Sequence, residues 1–103
     1  MPVSLQQEGA LIRIRLEGAI DIGCAQELKE LLVQGLKTGS EVRIQLAEAT
    51  DLDVTAVELL WAAKREARAS GVVFAFEGRA PGPVSAALAA AGLETFAESG
   101  GTI

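Results

Sequence analysis

The chain has 103 residues and a formal net charge of −5 at pH 7, which limits it to one small domain and argues against direct binding of nucleic acid. Half of its residues are apolar, so a globular fold is expected. It contains no histidine, no tyrosine and a single cysteine, which excludes imidazole bases, histidine metal sites and internal disulfide frameworks. We therefore expect no cofactor and no metal.

The start of the chain has no basic segment followed by an apolar core, and no apolar run approaches the length of a membrane span. We therefore expect a cytoplasmic protein that meets membranes only through a partner. Cys24 stands beside helically spaced apolar residues, which favours a small buried side chain over a reactive thiol.

The first third of the sequence predicts a β-hairpin followed by a helix. Apolar and polar residues alternate around residues 3–5 and 11–17, the pattern of strands with one buried face, and Glu8-Gly9 between them is typical of a hairpin turn. The spacing then changes to three and four residues, which predicts a first helix over 24–37. The apolar positions of that helix are Ala25, Leu28, Leu32 and Leu36.

A third strand and a second helix follow. Alternation of Val42, Ile44 and Leu46 with polar residues predicts a strand over 41–47. Helical spacing predicts a helix over 55–70. Its apolar stripe is Ala56, Leu60, Ala63 and Ala67, widened by Val57 and Trp61. The strand and the helix are thus expected to be joined by about eight residues, which we call the elbow.

The last third predicts a strand over 72–77, a loop over 79–83 and a third helix that begins near Pro83 and stops at Gly92. Phe96 is expected in a last short strand or as a packing anchor. Residues 97–103 are expected to form a flexible tail.

These elements predict a single α/β domain over residues 1–103, in the order ββαβαβα. Arg13, Arg15 and Arg43 alternate with apolar residues, so helices should cover only one face of the sheet. The expected fold is a mixed β-sheet of four to five strands with three or more helices on one face. The arginine-bearing face is expected to be solvated, and a docking role for it remains open.

Thr55 is the most informative single position. It stands three residues before Glu58, and this spacing ahead of an apolar run is that of a capping box, in which Thr55 caps the second helix. The alternative hypothesis is that Thr55 is phosphorylated and that the added charge releases a bound protein. Five carboxylates are expected to form an acidic rim around its hydroxyl: Asp21, Glu48, Asp51, Asp53 and Glu58.

A carboxylate enzyme or a magnesium site at Asp51 and Asp53 is a further hypothesis, because Mg²⁺ prefers carboxylate oxygens. The sequence has no glycine-rich phosphate loop and no nucleophile paired with a base. We therefore expect no enzymatic activity.

Three segments resemble a STAS domain, the fold of bacterial anti-sigma factor antagonists: GAID at 18–21, DLDVTAVELL at 51–60 and ALAAAGLETF at 87–96. In that family the elbow commonly reads Asp-Ser-Ser-Gly-Leu, and a partner serine kinase phosphorylates the second hydroxyl. Residues 53–57, Asp-Val-Thr-Ala-Val, fall on that motif, with Val54 in place of the first hydroxyl and Ala56 in place of the glycine.

The resemblance implies a regulatory protein-binding module of the anti-sigma factor antagonist type. Its phosphoacceptor is Thr55, and its partner is an anti-sigma factor with kinase activity or another regulatory protein. The implied partner-binding residues are Asp21, Asp53, Val54, Ala56, Val57 and Glu58. The family also implies an alternative, an unphosphorylated adaptor subunit of a lipid-transport ATPase or of a chemotaxis or stressosome-like complex. The sequence leaves the oligomeric state open.

Overall fold

The computed structural model describes residues 3–93. Within them, four strands form one sheet in sequential order. The strands are β1 (Val3–Glu8), β2 (Leu11–Ile20), β3 (Glu41–Leu52) and β4 (Val73–Glu77), and the helices are α1 (Ala25–Thr38), α2 (Val54–Ser70) and α3 (Gly82–Ala90). The first two strands are antiparallel, whereas β2, β3 and β4 run parallel. The predicted α/β mixed sheet and element order are confirmed. Phe96 and the predicted tail lie outside the described residues.

The core lies between one face of the sheet and the three helices. The inward side chains of the central strands are fully buried, as are those that the helices direct toward them. The strand residues are Ile12, Ile14, Leu16, Val42, Ile44 and Leu46, and the largest helical ones are Leu28, Leu60 and Leu88. Burial of each such side chain contributes roughly 1.5–3 kcal/mol, so this layer supplies most of the stability.

The other face of the sheet is open, as the alternating arginines predicted, and ion pairs run across it. Arg13 bonds Glu8 and Glu77, and the hydrogen bond from Arg13 to Glu77 raises the pKa of this guanidinium. Arg43 likewise bonds Glu41 and Glu77. Because carboxylates match the arginines, this face has no excess of positive charge.

Strand β3 continues to Leu52, five residues beyond its predicted end at residue 47, so the predicted eight-residue elbow is wrong. Only Asp53 separates β3 from α2. The extension pairs with the end of β2, and two register shifts interrupt that pairing. Such bulges break the period-2 alternation of apolar residues. The sequence pattern therefore stops at Leu46 although the strand does not.

Gly78, directly after β4, adopts a left-handed backbone with φ of +82°. A Cβ there would lie 1.9 Å from Gln45 Oε1, and that oxygen accepts a hydrogen bond from the backbone N–H of Ala47. Gly71, which ends α2, has a similar φ of +77° and open space around it.

We expect Gly78→Ala to destabilise the fold by about 2 kcal/mol and Gly71→Ala by about 1 kcal/mol, because both incur backbone strain but only the first displaces Gln45. Urea unfolding of both variants and the parent measures the difference. Equal losses would mean that Gln45 moves aside at no cost.

Candidate functional site

The site lies at the sheet edge where β2 and β3 end and α2 begins. Ile20 and Leu52 are register partners, and the N–H of Asp53 donates to the carbonyl oxygen of Ile20 at 3.0 Å. This bond holds the ends of the two strands together, so Asp21 and Asp53, the next residue of each, lie at the same edge. The structure thus brings together the two segments that sequence reasoning placed there.

Asp53 caps α2: its carboxylate accepts from the N–H of Ala56 at 3.0 Å. The prediction that Thr55 is the cap is wrong, because the helix begins one residue earlier, at Val54, and Thr55 already lies inside its first turn. Asp21 has a similar role in the neighbouring segment. Its carboxylate accepts from the N–H of Gly23 at 2.9 Å and begins the short 3-10 turn Ile22–Cys24.

We expect Asp53→Ala to lower the free energy of unfolding by about 1 kcal/mol, the typical cost of losing an N-cap. Thr55→Ala should change it by no more than about 0.5 kcal/mol, because Thr55 is not the cap. Chemical denaturation of the two variants tests this assignment. A larger loss for Thr55→Ala than for Asp53→Ala would restore Thr55 as the capping residue.

Thr55 is partly exposed, and its hydroxyl has no hydrogen-bond partner among the described residues. The backbone N–H groups of Val54 and Thr55, in the same first turn, also have no acceptor there. Unpaired N–H groups at a helix N-terminus attract negative charge. The hydroxyl therefore lies where the helix itself favours an anion.

Two exposed apolar side chains lie close in sequence to Asp21 and Asp53, one in the 3-10 turn and one in the first turn of α2. Ile22 is 73% exposed and Val54 is 72% exposed. Val54 was predicted as a partner-binding residue. Ile22 was missed because it follows GAID and precedes the helical spacing, so no periodic pattern includes it. An apolar residue directly after a polar strand end was the available signal.

The side chains of Ala56 and Val57, which the family resemblance implied as partner contacts, are buried in the core at 0% and 8% exposure. They face the sheet, so they cannot contribute side-chain contacts to a partner. Glu58 is exposed, and Asp53 is partly so. We use the name elbow surface for the accessible group: Asp21, Ile22, Asp53, Val54, Thr55 and Glu58.

The predicted acidic rim is smaller than expected. Glu48 turns to the open face of the sheet, where its hydrogen bond with Arg15 lowers the pKa of this carboxyl. It therefore does not face Thr55. Asp51, near the end of β3, is exposed, and its carboxylate accepts a hydrogen bond from the N–H of Leu52 at 2.9 Å. The charges closest in sequence to Thr55 are thus Asp51, Asp53 and Glu58, with Asp21 on the adjoining strand end.

Other kinds of site find little support in the described part of the chain. Residues 3–93 contain no group of three or more potential metal ligands. Cys24 is half-buried and packs against the hydrophobic core. No helix among those residues is long and apolar enough to cross a membrane.

The family model described as "Mlab, STAS domain" matches residues 3–98. The chain belongs to the STAS domain family. This STAS domain is also similar to solved structures. One is the anti-sigma factor antagonist SpoIIAA in its unphosphorylated form, with 16% identity, a TM-score of 0.78 and coverage of 88% of this chain and 81% of that chain.

A second similar structure is an anti-sigma factor antagonist from Mycobacterium paratuberculosis, with 15% identity, a TM-score of 0.76 and coverage of 87% and 76% of the two chains. A third is the phosphorylated form of SpoIIAA from Bacillus, with 16% identity, a TM-score of 0.68 and coverage of 77% and 74%. At these identities the likeness establishes the shared STAS fold. The comparison with curated proteins gave no match to this STAS domain.

Proposed function

We propose that this STAS domain is a regulatory module that binds another protein through the elbow surface and has no catalytic activity of its own. The observation that carries the proposal is the high exposure of Ile22 and Val54, which directly follow the two aspartates at this sheet edge. They are the most exposed large apolar side chains of the described residues. A partner that covers both removes apolar area from water, which is worth roughly 1.5–3 kcal/mol for each side chain.

We propose further that Thr55 is the phosphoacceptor and that the partner is an anti-sigma factor with serine/threonine kinase activity or a similar regulatory protein. Support comes from the unbonded hydroxyl in the first turn of α2 and from the match of residues 53–57 to the family motif. One of the similar structures is a phosphorylated antagonist, which shows that the fold accommodates the modification in that protein.

The proposed switch depends on the negative charge of the phosphate. A phosphate adds nearly two negative charges beside Asp51, Asp53 and Glu58. The N-terminus of α2 stabilises those charges in the free protein, but a partner that covers Ile22 and Val54 must remove water from them. Removing water from an unpaired charge costs several kcal/mol, enough to release a complex of moderate affinity.

The second candidate is an adaptor that is not phosphorylated and serves a lipid-transport ATPase or a chemotaxis or stressosome-like complex. The replacement of the motif's first hydroxyl by Val54, which exposes a permanent apolar side chain instead, favours it. Both candidates use the elbow surface, and both place the protein in the cytoplasm without inserting it into a membrane.

Affinity capture from the source organism distinguishes the candidates. Tagged wild-type protein and the double variant Ile22→Asp/Val54→Asp are used in parallel, and proteins retained only by the wild type are identified. A kinase-type anti-sigma factor supports the switch, whereas a transport ATPase subunit supports the adaptor. Equal retention of the same proteins by both baits would reject the elbow surface as the binding site.

A further inference from the structure

The outer face of α2 carries a concentrated basic patch on an acidic protein. Trp61, Lys64, Arg65 and Arg68 occupy positions i, i+3, i+4 and i+7, so they share one side of the helix. The sequence pattern assigned Trp61 to the apolar stripe, and this is wrong: the side chain is 43% exposed. We call these four residues the α2 basic patch.

Trp61 and Arg65 form an ordered pair. The guanidinium carbon of Arg65 lies 4.8 Å from the centre of the Trp61 ring, a cation–π contact. Because each side chain restrains the other, a ligand that binds them loses less side-chain entropy than one that binds isolated surface residues. Tryptophan and arginine are also the side chains most enriched among the energetically dominant contacts of protein interfaces.

The patch lines a concavity of about 330 Å³, which is closed on its other side by Gly92 and Leu93 after α3. Its described lining contains no acidic side chain. A favourable interaction with the carboxyl end of α2 accounts for Arg68 in the last turn. That interaction explains neither the exposure of Trp61 nor the grouping of basic residues around a concavity.

We propose that the α2 basic patch is a second docking surface, which binds an acidic segment of a protein partner. The carboxylates of that segment contact Arg65 and Arg68, and an apolar residue between them packs on Trp61. The patch begins one helical turn after Glu58 and extends about 10 Å along α2 from Trp61 to Arg68, so it adjoins the elbow surface without sharing a residue with it. The proposal does not rest on the function of Thr55.

The charge balance favours an acidic peptide over an anionic membrane. Membrane-binding patches use clusters of about four to eight basic residues, with each residue contributing about 1 kcal/mol, and this patch has three. The net charge of −5 repels an anionic bilayer. The concavity also suits a narrow chain segment better than a flat surface.

The test uses a fluorescently labelled peptide of repeating Glu-Glu-Leu, with a Gln-Gln-Leu peptide as the neutral probe. Trp61 is the only tryptophan of the chain, so its emission reports binding at the patch directly. We expect the acidic peptide to bind at low salt, to change Trp61 emission and to dissociate as salt is raised. We expect Arg65→Gln/Arg68→Gln to weaken binding about tenfold or more.

Two controls match that variant. Lys29→Gln/Lys37→Gln removes the same number of charges from α1, outside the concavity, and Ile22→Asp/Val54→Asp alters only the elbow surface. We expect each to change peptide affinity by less than about twofold. Denaturant unfolding confirms that all variants remain folded.

Three outcomes would overturn the proposal: unchanged Trp61 emission, equal loss of affinity in the α1 control, or equal binding of the neutral peptide. Binding to vesicles of equal phosphatidylglycerol and phosphatidylcholine without binding to the acidic peptide would overturn it in favour of a lipid surface.

Discussion

The double variant Ile22→Asp/Val54→Asp is expected to bind the captured partner roughly a hundredfold more weakly than the wild-type protein, a change of about 3 kcal/mol. Both side chains are nearly three-quarters exposed in the free chain. Aspartate therefore costs the free protein little, but in the complex it places a charge where an apolar side chain would be buried. Titration calorimetry with the purified partner measures the affinity, and urea unfolding measures the stability.

Val73→Asp is the matched control. Val73 is a valine with 57% exposure at the start of β4, beyond the opposite end of α2 from Val54. We expect this variant to bind the partner within about twofold of the wild-type affinity. Arg43→Glu on the open sheet face should likewise leave binding nearly unchanged. If Val73→Asp or Arg43→Glu abolishes binding and the elbow variant does not, the docking surface lies elsewhere.

The fold could be predicted from sequence because its main signals are periodic. Alternation along β2 and the first half of β3 identified the buried face, and the helices followed from spacings of three and four residues. The same alternation placed arginines on the opposite face and so predicted that helices cover only one side. These signals depend only on which side chains are buried. The spacing of apolar and polar residues in a single sequence shows that directly.

The details of the site could not be predicted in the same way. The end of β3 pairs with β2 through register shifts, so its side chains no longer alternate and the strand was missed from residue 48 onward. Once the strand was predicted to end early, Asp53 lay in the middle of a loop. Thr55 then had the better spacing for a cap, although Asp53 holds the bond to Ala56.

The direction of each side chain within the first turn of α2 is the second feature that the sequence did not predict. The family motif treats residues 53–57 as one contact segment, but a helix turns about 100° per residue, so neighbouring side chains point in different directions. Val54 is directed outward, while Ala56 and Val57 face the sheet. Trp61 shows the converse, because spacing placed it at the margin of the apolar stripe and the stacking of Arg65 stabilises it outside.

Phosphorylation of Thr55 is expected to weaken partner binding by roughly a hundredfold while leaving the fold intact, because the phosphate resides at a helix N-terminus in the free protein and must be desolvated in the complex. The co-isolated partner is incubated with ATP, Mg²⁺ and the purified chain, and the tryptic peptide over residues 44–64 is then examined by mass spectrometry. This peptide contains both Thr50 and Thr55, so fragment ions must assign the site.

Alanine variants of the two threonines identify the phosphorylated residue without relying on fragment ions. Thr50 is an exposed threonine in β3, five residues before Thr55. We expect Thr50→Ala to be phosphorylated like the wild type and Thr55→Ala to remain unmodified, while both bind the partner within about twofold of wild type before ATP is added.

Thr55→Glu, which carries a single charge, should show a smaller loss of partner affinity than the phosphorylated protein. If Thr55 stays unmodified in a complex that forms normally, and Thr55→Glu binds as tightly as wild type, the switch is rejected. The elbow surface would then serve the unphosphorylated adaptor, in which Val54 and Ile22 supply a permanent contact.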